Sequence, residues 1–182
     1  MKRLLFSFVA VSVSLFGWSQ NYEPTDAGSS VTFKIMNSGK SVEGALTGLK
    51  GVIQFDPHNL SASLFDVAVD PSSVDTRNKM RNNHLKKGEY FDIQNFPEIR
   101  FTSRKIEAGS QSGKFTVTGK LTMKKATKEI KFDFTAKEQG DGYLFQGEFP
   151  INRRDYGVGG SCHRMADELK VFLSVTSSIK QK

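Results

Sequence analysis

From residue 30 onward, apolar and polar residues alternate with a period of two, and no other feature constrains the fold as strongly. The alternation is longest in KFTVTGKLTMK. There Phe115, Val117, Gly119, Leu121 and Met123 share one face, and Thr116, Thr118, Lys120, Thr122 and Lys124 the other. Val31, Phe33 and Ile35 repeat it, as do Ile130, Phe132 and Phe134, then Tyr143, Phe145, Gly147 and Phe149, and finally Leu169, Val171, Leu173 and Val175. Side chains on an extended backbone change face at every residue, so each run has one wet and one dry side. Turn-forming stretches separate the runs: NSGK at 37–40, DPHN at 56–59, GSQSG at 109–113 and QGDG at 139–142. No α-helical pattern long enough to cover a sheet lies between them, which excludes parallel βαβ packing. Runs near 30, 42, 52, 62, 100, 116, 130, 144 and 170 predict eight or nine antiparallel strands, arranged as a sandwich or a closed barrel. Several are long, and long free edges invite aggregation, which closure prevents. The fold expected is therefore all-β: an eight-stranded antiparallel barrel with a short helical insert between two strands.

The front of the chain reads as an address. Lys2 and Arg3 precede LLFSFVAVSVSLF, and Gly17 and Ser19 flank Trp18, the pattern of a secretory signal peptide over 1–19 followed by one domain over 20–182. A membrane-spanning helix needs about 20 apolar residues; this run is shorter and is interrupted by Ser7, Ser12 and Ser14. The location expected is the periplasm or the cell exterior. Loss of Lys2 and Arg3 takes the formal charge from +7 to +5. In an exported chain that balance argues against nucleic acid and for anionic lipid headgroups or envelope polymers. Cys162 is the only cysteine, so no internal disulfide forms, and the thiol is left to link two chains into a homodimer. Cys162 and His163, side by side on an irregular segment, supply neither a catalytic triad nor a metal-ligand set.

Phenylalanine dominates the dry face. An eight-stranded barrel is either filled by side chains or open for one small ligand, and Gly119 and Gly147 at inward positions make space. Parity alone lines the interior with Phe33, Phe101, Phe115, Val117, Leu121, Phe132, Phe134, Phe145 and Leu173. Asp66 falls on the solvent side. The stretch PSSVDTRNKMRNNHLKKGEYFDIQNFPEIRFTS loses the alternation in its middle and suits one or two helical turns, with Ser73 or Asp75 as cap, laid across an open barrel end. His84 stands there without a serine-nucleophile motif, HExxH or paired carboxylates, so no reaction class, metal or cofactor is expected. Its expected role is a hydrogen-bonded brace to Asp75 or Asp92.

SVDTRN, RNNHL and GEYFDIQNFPEIRFTS resemble the YceI-like proteins, exported bacterial lipid-binding barrels. Their motif runs through Ser-x-Asp-Thr, Arg-Asp-x-His-Leu, Phe-Phe-Asp and Phe-Pro-x-Ile-x-Phe-x-Ser. Upstream, VEGALTGLKGVIQFDP matches the family's glycine-spaced strands. Downstream, VTGKLTMKKATKEI matches its Gly-x-Leu-Thr strand and INRRDYGVGG its Arg-x-Asp-Phe-Gly turn. Asn82 departs from the usual aspartate after Arg81, Leu46 from a common aromatic, and Lys125 and Glu129 from a glycine and a proline. The resemblance implies a lipocalin-like barrel holding a polyisoprenoid chain, such as an isoprenoid quinone or related lipid; on the reading of the insert itself, Asp75, Thr76, Arg81, His84, Leu85 and Phe91 are expected to form lid and brace.

A guest of about 40 carbons, at roughly 0.3 kcal/mol per heavy atom, would be held with about 12 kcal/mol, near nanomolar affinity. With association at about 10⁶ per molar per second, release takes many minutes. The insert over 77–92 is therefore expected to be a movable lid whose Arg77, Lys79, Arg81, Lys86 and Lys87 sense anionic headgroups. The alternative is a stress-associated envelope protein with a packed barrel and a basic face that docks a partner.

Overall fold

A computed structural model describes residues 20–161 and 163–180. The signal peptide expected over 1–19 and Cys162, the residue expected to link two chains, lie outside the described residues. The strands are β1 (Asn21–Asn37), β2 (Lys40–Gln54), β3 (Leu64–Asp75), β4 (Ile99–Ala108), β5 (Lys114–Met123), β6 (Ala126–Gln139), β7 (Gly142–Asn152) and β8 (Met165–Ile179). Each pairs antiparallel with its neighbours in chain order, and β8 returns to β1 to close an eight-stranded barrel. The insert between β3 and β4 carries α1 (Lys79–Leu85), and a 3-10 turn, Arg153–Tyr156, follows β7.

The runs near residues 42 and 52 belong to one strand, because β2 bends instead of ending. Gly48 and Gly51 take positive φ of 75° and 127°, and at Gly51 the β3 backbone at Asp66 leaves no room for a side chain. Opposite this bend β1 bulges between Thr25 and Ser30, and the Asp26 carboxylate accepts the Gly48 and Leu49 N–H groups at 2.9 and 3.0 Å. The carboxylate thus satisfies backbone donors that the distorted ladder leaves open. Pro71 sits in β3 above the last β3–β4 pair, Val69 with Ile99, and where the β2–β3 register shifts, so its missing N–H interrupts no regular ladder pair.

One barrel end is plugged. Phe55 lies just past β2 and turns inward, its ring 3% exposed and in contact with the rings of Phe65, Phe115, Phe134, Tyr143 and Phe145 at centroid distances of 5.1 to 6.2 Å. Four of these five pairs meet edge to face, the arrangement in which aromatic quadrupoles attract. Phe115 and the fully buried Val117 belong to this plug and do not line open space, contrary to the parity expectation. Parity places a side chain inside the barrel but is blind to height along its axis.

The other end carries the insert. Here β6 and β7 part company: their ladder runs from Gln139–Gly142 to Phe134–Gly147 and stops. Above it, Ala126–Asp133 pair only with β5, and Glu148–Asn152 only with β8. Across this seam the rings of Phe132 and Phe149 stack, centroids 4.5 Å apart and planes at 27°.

Gly119 does not make space as expected. The Phe101 ring lies over it, and a Cβ there would come within 2.5 Å of that ring and 2.7 Å of the Thr102 carbonyl. Phe33 occupies the corresponding seat over Gly44. Because Thr102 contributes backbone, the neighbour cannot simply rotate away. Gly119→Ala is expected to cost about 1–3 kcal/mol, read as a lower urea midpoint at unchanged slope.

Candidate ligand-binding cavity

Between plug and insert the barrel encloses a cavity of about 350 Å³, at the lower end of the range for small-molecule sites. Phe33, Phe101, Leu121, Phe132 and Leu173 stand on its wall, and Phe65, Phe134 and Phe145 border it from the plug. Leu85, Tyr90 and Phe91 from the insert also border it, with Thr76, Arg81 and His84 beside them. The interior is therefore a blind pocket, apolar in its barrel and polar mainly where the insert roofs it. Asp75 lies outside the lining, exposed on the rim.

The roof is built locally. Asn78, not Ser73 or Asp75, caps α1 by accepting the Arg81 N–H at 3.0 Å. The brace is Asn82. Its Oδ1 accepts from the Thr76 N–H at 2.8 Å and the Thr76 hydroxyl at 2.7 Å, while its Nδ2 donates to Asp75 Oδ1 at 2.9 Å. An amide both accepts and donates, which a carboxylate cannot do. Together with the Arg77 N–H, the Asn82 amide holds the Asp75 carboxyl below the ordinary carboxylate range.

His84 does not play the bracing part expected of it. It reaches neither Asp75 nor Asp92; half exposed, it lies 3.9 Å from Glu89 and its ring centroid is 4.9 Å from that of Tyr90. Arg81 borders the cavity with its guanidinium outside every hydrogen bond and ion pair found among the described residues. Arg81 and His84 are thus the guanidinium and the imidazole ring available to hydrogen-bond a polar group at the roof.

Two residues tie the roof to the rest of the rim. Lys124, in the β5–β6 turn at φ 53°, donates its ammonium to the carbonyls of Gly88 and Gly157 at 2.9 and 2.8 Å, joining the insert to the β7–β8 connection. The Gly159 N–H adds a bond to the Glu89 carbonyl at 2.7 Å. The second residue is Arg153, 2% exposed, whose five N–H groups are spent on the carbonyls of Val158, Gly160, Met165 and Ala166 and on Asp167 Oδ1. Its charge organises the β7–β8 connection and has no donor left for a guest. Beside it, burial and then the neighbouring Asp155 push the Tyr156 phenol up to about 12, so it stays protonated. The roles of Asn82, Lys124 and Arg153 carry no sequence signal of their own: Asn82 stands where an aspartate is usual, Lys124 falls on the wet face of a strand pattern, and Arg153 falls within a turn.

Among the described residues no group of three or more His, Cys, Asp or Glu is placed to hold a metal ion.

Residues 22–177 match the family model of the YceI-like domain. A UPF0312 protein of Pectobacterium carotovorum is 27% identical over the full length of both chains. The protein YceI of Salmonella arizonae is 28% identical over 84% of this chain and 82% of its own. Among solved structures, BcnA of Burkholderia cenocepacia superposes with a TM-score of 0.76 at 27% identity, covering 82% of this chain and 96% of that one. A polyisoprenoid binding domain from Saccharophagus degradans shares the fold, with a TM-score of 0.71 at 13% identity over 87% of this chain and 98% of its own.

Because the folded Asp75 value is the lowered one, the Asp75–Asn82 contact is at full strength above the ordinary carboxylate pKa and is lost as pH falls through the lowered value. Asn82→Ala is expected to return Asp75 toward its ordinary value and to speed hydrogen exchange across 77–92 at neutral pH. Asn82→Asp, which sets two carboxylates side by side, should loosen the same amides at neutral pH and tighten them on acidification.

Proposed function

The chain belongs to the YceI-like domain family, and from that premise we propose that it holds a polyisoprenoid, such as an isoprenoid quinone or a related slender lipid, inside its barrel. The observation that carries the reading is the cavity, apolar on its barrel wall and polar at the roof. That distribution suits an amphiphile with a long tail and a small polar end. The tail would lie along Phe33, Phe101, Phe132 and Leu173, and the polar end would meet Arg81 and His84. A buried apolar wall rewards a guest in proportion to the surface it removes from water, and it discriminates length and girth better than chemical identity.

The fold of the Saccharophagus domain supports the same class of guest. The signal-peptide pattern over 1–19 supports export, and with it storage or transport of the lipid in the cell envelope. The insert, tied down through Lys124, Gly159 and Asn82, would be the part that moves when the guest passes. Binding is the whole activity on this reading, with no chemical step. The competing reading, a solid barrel acting only as an interaction module, has the open cavity against it.

Protein purified from its native compartment is expected to release a lipid of several hundred daltons on organic extraction and to show the same mass as a shift in native mass spectrometry. Leu173→Trp, which drives an indole into the cavity, should cut that occupancy at least tenfold while circular dichroism reports an intact barrel. An empty wild-type protein would favour the interaction module.

A further inference from the structure

The barrel is electrically polar along its axis. The four connections at the insert end carry ten Lys and Arg against four Asp and Glu, an excess larger than the net +5 of residues 20–182. The three connections at the plugged end hold Asp56 and Asp141 and no Lys or Arg. At that end Asp56, Glu138 and Asp141 add to burial in holding the Tyr22 phenol above its ordinary value.

On the barrel wall Lys34, Lys50, Lys105 and Lys170 each reach a glutamate at 2.6–2.8 Å, while Lys120, Lys128, Lys131 and Lys137 reach none among the described residues. On the insert, Arg77, Lys79, Lys86 and Lys87 enter no ion pair among the described residues. Between Lys79 and Arg81 stands Met80, 83% exposed, the most exposed large hydrophobic residue described. An apolar prong ringed by uncompensated positive charge is the surface that an anionic lipid interface complements, with phosphates meeting the ammonium groups and the thioether entering the acyl layer.

We propose that the protein docks end-on to an anionic bilayer through this insert, with Met80 inserted and the roof of the cavity held at the interface. An acidic protein would satisfy the lysines but offers no acyl layer for Met80, and it is not where an apolar guest would be exchanged. Headgroup phosphates would further compete with the carbonyls of Gly88 and Gly157 for Lys124, loosening the tie between insert and rim. The purpose of docking rests on the lipid-holding reading; the docking itself does not, and it is measurable on delipidated protein.

The test is flotation of the purified protein with phosphatidylcholine vesicles, with and without phosphatidylglycerol. Binding is expected only to the anionic vesicles and should fade as salt shortens the Debye length from about 10 Å at 0.1 M. The combined variant K79Q/K86Q/K87Q, whose three side chains lie outside the cavity wall, should bind on the order of a hundredfold more weakly while retaining its extractable lipid. In M80W, whose new indole is the only one in residues 20–182, fluorescence should shift to the blue on anionic vesicles alone. Equal binding to neutral vesicles, or anionic binding without the shift, overturns the proposal. So does an absence of vesicle binding, including the case where the protein instead binds soluble polyglutamate through the same lysines. Docking by a protein that yields no lipid would defeat the functional reading and leave this one standing.

Discussion

The hydrogen-bonded return of β8 onto β1 is the contact on which the rest of the molecule depends. It turns a meander with two exposed edges into a ring, and a ring of eight strands has an inside that must be filled or lined. Once closed, the period-two alternation of every strand becomes a statement about the interior. The strands are too long to wrap without relief, and that relief is local: glycines that bend β2, a bulge in β1, and the Asp26 carboxylate standing in for a missing ladder bond. Inward serines make the same repair elsewhere. Ser103 accepts the Phe65 N–H at 2.8 Å, and the buried Ser177 exchanges bonds with both backbone groups of Tyr143.

Aromatic residues divide the interior into two regimes. Around Phe55 the rings meet across the axis and leave no room, while higher up Phe33 and Phe101 are seated over Gly44 and Gly119 on the barrel wall. The two glycines thus thin the wall instead of leaving holes in it. At the insert end the polar groups that hold the connections in place are engaged. Arg153 consumes its five donors within one connection, Lys124 its ammonium on two carbonyls, and Asn82 both sides of its amide. Buried or rim-bound polar groups left without partners would cost more than the bonds return, so the groups that remain unengaged, Arg81 foremost, stand out chemically.

The fold was legible because alternation is a covalent consequence of extended backbone, repeated in strand after strand and separated by turn chemistry that cannot be mistaken for helix. Parity also put Phe33, Phe101, Phe132 and Leu173 inside, where they are. It could not say that Phe115 and Val117 lie in the plug, because height along the axis depends on strand stagger, set by bulges and glycine bends that no two-residue period encodes. Nothing in the alternation sets Phe55 apart from a strand residue; its role depends on β2 ending at Gln54. The roof was the least legible part. The Asn82 bonds involve residues six and seven positions away through a backbone turn at Arg77 with φ 56°, and the Lys124 clasp joins segments more than thirty residues apart. Such contacts follow from tertiary placement and leave no periodic trace.

A sleeve stopped at its foot has a direction built into it. Any elongated guest that fills it goes in tail foremost and backs out by the same door, so the end that enters last is always the first to reappear. Were such a guest stored there, that end would face the threshold and the greasy remainder would stay out of reach. Whatever read or exchanged it would meet its head before its tail, and the plug at Phe55 would decide that order from the far end of the barrel.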